Sequence, residues 1–216
     1  MRNEKVILME LQYMPPVQYF AKLYEYDVLL LESQENYTKG SYRNRAHIAG
    51  VNGVQLLSIP LRKGKNSNQN IRHVHIAYDE PWHGIHWKSI RSAYGNSPYF
   101  KFYTDDLKNL FLNKRYEYLW DFNFELLLYF IHTIGIQIRI EMTSEYYRKA
   151  PRGVDDWRGK ISPKIKVPDP AFNPCFYAQV FEDRHGFLPN LSIIDALLCN
   201  GRAALSIIRK SIMYPD

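Results

Sequence analysis

The sequence has few of the features that mark secreted, metal-binding or membrane-spanning proteins. Its 216 residues include two cysteines, Cys175 and Cys199, which form no CxxC pair and have no histidines at zinc-ligand spacing. This argues against a disulfide framework and a structural metal and fits a reducing compartment. No segment reaches the ~18 uncharged apolar residues of a membrane span, and residues 1–11 contain only a short apolar run. We therefore expect a cytoplasmic protein, neither secreted nor integral to a membrane.

Common catalytic signatures are missing as well. The chain contains no GxxxxGK[ST], GxGxxG, GxSxG or HExxH, which argues against P-loop, dinucleotide-binding, esterase and zincin functions. His73 and His75 would share one face of a strand, but two ligands without a nearby third are weak evidence for a metal. The sequence thus predicts no metal site and defines no cofactor.

The composition is that of a globular protein with a surplus of aromatic residues. Hydrophobic residues make up 46% and charged residues 23%, which predicts one domain over residues 1–216 with little disorder. Aromatic residues make up 15%, with 17 tyrosines. Because tyrosine joins an apolar ring to a polar tip, this surplus suits either a core with polar edges or a cleft for sugars and bases. The spread of the tyrosines along the whole chain favours the core.

Positive charge is concentrated in three groups within a chain of net charge +6. The first group, in an irregular, proline-rich segment 146–175, consists of Arg148, Lys149, Arg152, Arg158, Lys160, Lys164 and Lys166. The second is Lys39, Arg43 and Arg45, and the third is Arg62, Lys63 and Lys65. Such groups attract phosphates on nucleotides, nucleic acid or lipid headgroups, although a solvated surface is the simpler interpretation of the third. We expect a nucleotide sugar or another phosphorylated small molecule as partner and no specific nucleic-acid binding, with 148–166 as the candidate contact with an anionic membrane.

The hydrophobic pattern predicts an α/β fold. Apolar runs at 6–9 and 28–31 are separated by a helix that Pro15 and Pro16 can open, which indicates two parallel strands joined by a helical crossover. Asn52 and Gly53 stand between apolar runs at 46–49 and 54–61 and predict a tight hairpin. The expected architecture is a mixed sheet that starts with a parallel strand-helix-strand unit and includes a hairpin, with helices packed on the sheet.

The rest of the chain predicts further strands and helices. We expect strands over 71–78, over 136–142 near a sheet edge, and over 176–181. The predicted helices start at Pro81 and end before Gly95, start at the Ser97–Pro98 pair, run from 119 to Gly135, and start at the Ser192 cap and end at Asn200–Gly201. Asp195 is buried-looking, and helix capping explains it more simply than catalysis.

The first candidate site is the polar segment 37–45, which follows the second predicted strand. Ligands of α/β sheets lie beyond the carboxyl ends of strands. Arginine offers a planar fork for phosphate or carboxylate, and lysine adds a mobile charge. The candidate substrate-binding residues here are Lys39, Tyr42, Arg43, Asn44 and Arg45. The alternative is an exposed loop whose arginines pair with local acids such as Glu32 and Glu35.

The second candidate site is on the helix that follows Pro81. Trp87 and Tyr94 lie on its apolar stripe, and His86 lies at the border of that stripe. A border histidine can reach a cleft, and its usual pKa near ~6.5 suits proton transfer at neutral pH. We therefore predict His86 as the catalytic base and Trp87, Arg91 and Tyr94 as substrate-binding residues. A hydrogen-bonded structural histidine is the alternative.

A series of short blocks resembles the WbqC-like protein family, in the branch typical of Bacteroidetes. The blocks are PPVQYF at 15–20, YD at 26–27, YRNR at 42–45, HW at 86–87, RSAY at 91–94, PYF at 98–100 and LSIID at 191–195. They occur in this order over nearly the whole chain. The sequence departs from the family after the second strand, where Glu32 and Ser33 stand instead of a frequent acidic pair.

The resemblance implies a cytoplasmic bacterial protein of O-antigen or other surface-polysaccharide biosynthesis. It suggests a transferase, with aminoacyl or glycyl transfer to an activated sugar as the reaction. Arg43 and Arg45 would hold a diphosphate or carboxylate with help from Lys39, and His86 would deprotonate the acceptor. A nucleotidylyltransferase-like enzyme and a non-catalytic docking protein of the glycan machinery remain alternatives. The prediction requires both arginines and His86 to meet in one cavity.

Overall fold

The computed structural model describes residues 4–62, 69–165 and 167–214. Three of the predicted cations, Lys63, Lys65 and Lys166, lie outside the described residues. The strands are β1 (Val6–Glu10), β2 (Val28–Glu32), β3 (Arg45–Gly50), β4 (Gly53–Ser58), β5 (Arg139–Met142) and β6 (Val154–Asp156). The helices are α1 (Val17–Tyr24), α2 (Trp82–Tyr94), α3 (Phe100–Lys108), α4 (Leu119–Ile134), α5 (Glu182–His185), α6 (Ile193–Asn200) and α7 (Ala204–Lys210).

The main sheet has four parallel strands in the order β5-β2-β1-β6. Leu8 in β1 is paired with Leu30 on one side and with Asp156 on the other. β1 and β2 are almost fully buried, as parallel strands covered on both faces should be. Strand order runs outward from β1 through β2 to β5, and then returns to the other side of β1 at β6. The carboxyl ends of β1 and β6 therefore form a topological switch point, where ligands of open α/β sheets bind.

The predicted hairpin is confirmed and forms a sheet of its own. β3 and β4 are antiparallel, and Gly50 is paired with Gly53 across the turn. Gly53 has a φ of +99°, a conformation that glycine adopts without steric cost. The strand-helix-strand unit and the hairpin are both present, and the mixed α/β class is confirmed with its parallel and antiparallel parts in two sheets.

Helices and aromatic side chains form the core around the sheets. α1 contacts α6 and α7, and α2 packs against β3. α4 ends as predicted at Gly135, whose φ is +87°. Tyr13, Tyr19 and Tyr94 are fully buried, so part of the tyrosine surplus belongs to the core. Among the helices described, none is both long and apolar enough to cross a membrane.

Two predicted strands are wrong. Segment 71–78 forms a 3₁₀ turn at Ile71–His73 and then makes isolated pairings, because the Val74 carbonyl accepts from Leu119 at the start of α4 and the Ile76 amide donates to Glu117 in the loop before it, rather than to a strand. Segment 176–181 forms no strand: the Gln179 side chain, and not a strand backbone, donates to the Leu188 carbonyl and accepts from the Leu188 amide.

Boundaries of other elements also differ from the prediction. Ser97 does not cap α3, because its hydroxyl donates to the Tyr94 carbonyl and the helix starts at Phe100. Ser192 does cap α6, as predicted. Asp195 is not a capping residue: it is fully buried and accepts hydrogen bonds from other parts of the chain. β6 and α7 were not predicted, since three residues are too few for a hydrophobic period and α7 follows α6 after a single 3₁₀ turn.

Candidate functional site

A cavity of about 590 Å³ lies beside the switch point of the main sheet. One wall is the segment that follows β6, a second is the first turn of α1 with the loop before α6, and the third is the entry to β3. The lining residues on which its chemistry depends are Gln18, Tyr42, His47, Trp157, Lys160 and Asn190. Aromatic rings, amides, an ammonium group and the Asp169 carboxylate, which is paired with Lys22 at 3.0 Å, thus surround a space large enough for a sugar-sized ligand.

Glu10 anchors the wall of the cavity to the end of β1. One oxygen of its buried carboxylate accepts from the Gly159 amide at 2.8 Å, and the other accepts from the Gln12 side chain at 2.8 Å. Gln12 also donates to the carbonyl of Ile161 at 2.9 Å, and Ile161 lines the cavity. The wall is therefore held by buried hydrogen bonds at the carboxyl edge of the sheet.

Glu32, at the end of β2, neutralises part of the basic segment. One carboxylate oxygen accepts from the Thr143 hydroxyl, and the other accepts from Nη1 of Arg158 at 2.7 Å. Arg158 also donates to both carboxylate oxygens of Asp156, which lowers the pKa of Asp156. Arg158 is thus engaged by two carboxylates inside the protein and is not a free surface charge.

Arg43 and Asn44 belong to the interior. Nε of Arg43 donates to Glu35 at 2.7 Å, and Nη2 donates to the second oxygen of the same carboxylate. The Asn44 side chain accepts from the Tyr37 hydroxyl and donates to the Ile59 carbonyl, both at 2.9 Å. The pairing of an arginine with Glu35 that the sequence offered as an alternative is therefore present for Arg43, in a buried network instead of an exposed loop.

Arg45 and Lys164 form a cationic corner near Gly40. Arg45 is half-buried, and its Nε is buried without a hydrogen-bond partner in the part of the chain that the structure describes. Its Nη1 lies 3.9 Å from the point that a Gly40 Cβ would occupy, where the Lys164 side chain also approaches. Lys164 donates to the carbonyl of Lys39, whose own side chain is exposed. An anion placed here would meet two cations, the Arg45 guanidinium and the Lys164 ammonium group.

Tyr42 and His47 meet at the entry to β3. The Tyr42 hydroxyl lies 3.3 Å from Nδ1 of His47, and the two rings are nearly perpendicular. Burial and the nearby Arg45 lower the pKa of His47, so its imidazole is neutral at physiological pH. Nε2 of His47 makes no hydrogen bond within the described parts of the chain. In the tautomer in which Nδ1–H donates to the Tyr42 oxygen, Nε2 is an available proton acceptor.

His86 lies outside this cavity wall, in the core. Its Nδ1 is 2.8 Å from the Tyr13 hydroxyl, and the ring is also hydrogen-bonded to the backbone of Ser58. The Trp82 indole packs against the His86 ring, with 5.2 Å between the ring centroids. Burial lowers the pKa of His86 to about 4. The imidazole is thus neutral and enclosed.

The other predicted residues of α2 have different surroundings. Trp87 is buried and stacks on Phe100, with 6.1 Å between the ring centroids, whereas Arg91 is exposed. The Tyr94 hydroxyl donates to Asp195 at 2.8 Å and accepts from the Ala49 amide at 2.9 Å. Of the predicted residues, the structure brings Tyr42 to the cavity and encloses Arg43, His86 and Tyr94 in separate networks. The functional roles assigned to them stay predictions.

Sequence reasoning missed several residues of the cavity. His47 follows Arg45 by two positions in β3, so strand alternation could have placed both side chains on one face. Trp157 and Lys160 lie in the segment recognised as basic, but nothing in the sequence showed that it folds over the end of β1. Gln18 and Asn190 come together from distant parts of the chain, where the Gln18 backbone amide donates to Oδ1 of the Asn190 side chain at 3.0 Å.

Fold and site define an α/β protein with a ligand cavity at the carboxyl edge of a parallel sheet. The chain belongs to the WbqC-like protein family, whose model matches residues 12–167. The match supports the family and does not extend to a branch within it. The chain is also similar to Rv1507c, an uncharacterised protein of Mycobacterium tuberculosis, with 26% identity over 143 residues. This alignment covers 66% of the present chain and 62% of that protein. No solved structure matches the chain.

Proposed function

We propose that the chain is a transferase that acts on an activated, anionic sugar during assembly of O-antigen or another surface polysaccharide. The observation that carries this proposal is the neutral His47 in a cavity at the switch point of the sheet. The place in glycan assembly is what the resemblance to WbqC-like proteins implies, and the cavity supports a small-molecule substrate. Aminoacyl transfer, such as glycyl transfer, is the reaction we assign.

In this reaction His47 is the general base. The nitrogen or oxygen atom of an acceptor amine or hydroxyl attacks the activated acyl carbon, and the proton of that acceptor group passes to Nε2 of His47. The new bond to that carbon forms, the bond to the leaving group breaks, and the leaving group takes the electron pair and then the proton from His47. The Tyr42 oxygen accepts from Nδ1–H of His47, which fixes the ring and keeps Nε2 unprotonated before the reaction.

Cations and an aromatic ring hold the substrate. Arg45 and Lys164 bind the phosphate, because both carry donors and neither has a carboxylate partner among the described residues. Trp157 lines the cavity and supplies apolar contact for the sugar, while the ammonium groups of Lys22 and Lys160 lie 4.3 Å and 5.0 Å from the centre of its ring.

Turnover of defined donors tests the proposal. The full chain is incubated with aminoacyl donors and a panel of nucleotide sugars, and products are identified by mass spectrometry. Wild type should form the adduct, and His47→Ala should lower turnover by roughly 10²–10⁴. Lys101→Gln, an exposed change on α3, is the charge-matched control for Arg45→Gln and Lys164→Gln. His86→Ala in the same assay tests the base predicted from sequence.

A thermal-shift screen supplies an independent measurement. A ligand at about 100 times its Kd stabilises the folded chain by about 2.7 kcal/mol. We expect such a shift with a phosphorylated sugar, reduced in Arg45→Gln and unchanged in Lys101→Gln. Absence of any shift and of any product over the whole panel would contradict the transferase. Salt-sensitive vesicle binding without turnover would instead favour the docking alternative.

A further inference from the structure

Exposed apolar side chains border the outer side of the cavity. Ile165 and Val167 belong to its lining, and Val167 is 80% exposed. Phe176 follows the lining residue Pro174 by two positions and is 62% exposed. We call the exposed side chains of this surface the apolar rim; they are Ile165, Val167, Phe176, Met213 and Tyr214.

Backbone contacts join the two segments that carry the rim. The Met213 amide donates to the Ala171 carbonyl at 3.1 Å, and Phe172 forms an isolated bridge with Ile212. Phe172 itself lines the cavity. The chain end after α7 therefore runs beside the cavity wall, which places Met213 next to the segment between Val167 and Phe176.

Exposed lysines flank the rim. Lys160 lines the cavity, Lys164 stands between the lining residues Pro163 and Ile165, and Lys210 precedes Met213 by three positions. Within the described chain, none of the three has a salt-bridge partner. Apolar side chains bordered by uncompensated ammonium groups match a lipid interface, in which acyl chains lie beneath anionic headgroups.

A second copy of this chain fits the rim less well. In a twofold dimer the same surface meets itself, so Lys160, Lys164 and Lys210 would face the lysines of the other copy. Like charges across an interface oppose association. Charge complementarity therefore favours an anionic lipid.

We infer that the apolar rim docks on an anionic lipid surface and that the cavity beside it receives a lipid-linked anionic sugar. This inference rests on the proposed transferase function and names the class of its acceptor. The rim inserts among acyl chains, the lysines contact headgroups, and the sugar phosphate reaches Arg45 and His47 while its chain remains in the lipid.

Vesicle sedimentation tests the docking surface. The full chain is mixed with vesicles of equal parts phosphatidylglycerol and phosphatidylcholine, and separately with phosphatidylcholine alone, over a salt series. We expect binding to the first set that decreases with salt. Val167→Ser with Phe176→Ser should weaken it roughly tenfold or more. Lys160→Gln and Lys164→Gln should each weaken it about fivefold at low salt.

Exposed apolar residues elsewhere provide the matched control. Ile85→Ser on α2 and Phe102→Ser on α3 remove side chains of similar exposure and should leave vesicle binding unchanged. Binding that is absent, or equally weakened by these controls, overturns the inference. A dimer in sedimentation equilibrium that Val167→Ser dissociates would overturn it in favour of a second copy.

Turnover separates this inference from the function on which it rests. A sugar phosphate with a long alkyl chain, presented in vesicles, is compared with the methyl ester of the same sugar phosphate. We expect at least roughly tenfold higher kcat/KM for the first, and loss of this preference in the rim double variant. Equal turnover of both would end the lipid inference and leave the transferase intact. Vesicle binding without turnover of either would end the transferase assignment instead.

Discussion

The Tyr42 hydroxyl and Nδ1 of His47 lie 3.3 Å apart at the wall of the cavity. When Nδ1 carries the ring proton and donates to the Tyr42 oxygen, Nε2 is left to accept a proton from a substrate. The ring is neutral because burial and the charge of Arg45 both disfavour its protonated form. The position of His47 in the cavity wall and its neutral imidazole thus both suit it to act as a general base.

The acid limb of the pH–rate profile should respond to Arg45. A histidine with a lowered pKa stays deprotonated, and active as a base, to a pH below its usual 6.5. Arg45→Gln removes the nearby positive charge, so the pKa of His47 should rise and the acid limb of kcat/KM should move to higher pH. Lys101→Gln should leave the limb in place. An unchanged limb in Arg45→Gln would contradict His47 as the base.

The ion pair of Arg43 and Glu35 should contribute mainly to stability. Both side chains are buried, so removal of one partner leaves an uncompensated charge and should cost about 3–5 kcal/mol in the free energy of unfolding. Glu35→Leu with Arg43→Met should recover most of this loss. Urea denaturation of the two single variants and the double variant measures the coupling. A stable Arg43→Met variant with a raised KM would instead support the substrate-binding role predicted for Arg43.

The sequence pattern predicted correctly those parts of the fold that are determined locally, by apolar runs or by glycine and asparagine at turns and helix ends. The runs of β1 and β2, the Asn52–Gly53 turn and the Gly135 helix end are of this kind. Segment 71–78 alternates imperfectly, and its backbone groups bond to a loop that is more than forty positions away. Such long-range pairing leaves no mark in the local sequence, and the imperfect alternation of apolar residues in this segment predicted a strand instead.

The sequence indicated the chemical groups of the candidate residues but not the directions in which their side chains point. The block around Tyr42 was recognised, yet the direction of each side chain depends on strand alternation and on buried partners. Arg43 and Arg45 are two positions apart, but Arg43 meets Glu35 while Nε of Arg45 has no partner in the described chain. A polar residue on an apolar stripe, such as His86, is as compatible with a buried network as with a cleft. Only the positions of Tyr13 and Ser58 decide between them.

His86 should make the protein sensitive to acid. Its folded-state pKa of about 4 lies below the usual 6.5, so the unfolded chain binds the proton more tightly between these values. The stability that neutral His86 provides is fully present above 6.5 and is lost as the pH falls toward 4, by roughly 3 kcal/mol at most. His86→Gln, which does not titrate, should flatten the dependence of unfolding free energy on pH in this interval. An equally steep dependence in that variant would assign the acid sensitivity to other groups.

Arg158 and Arg148 belong to the same basic segment but should behave in opposite ways. Arg158 is bound by Glu32 and Asp156, whereas Arg148 is exposed. Arg158→Gln leaves the fully buried Glu32 without its cation and should cost about 3–5 kcal/mol in the free energy of unfolding, with little change in vesicle binding of the folded chain. Arg148→Gln should leave stability within about 0.5 kcal/mol. Chemical denaturation and vesicle sedimentation of the two variants separate the roles. A stable Arg158→Gln variant that no longer binds vesicles would show that this arginine serves the surface rather than the sheet edge.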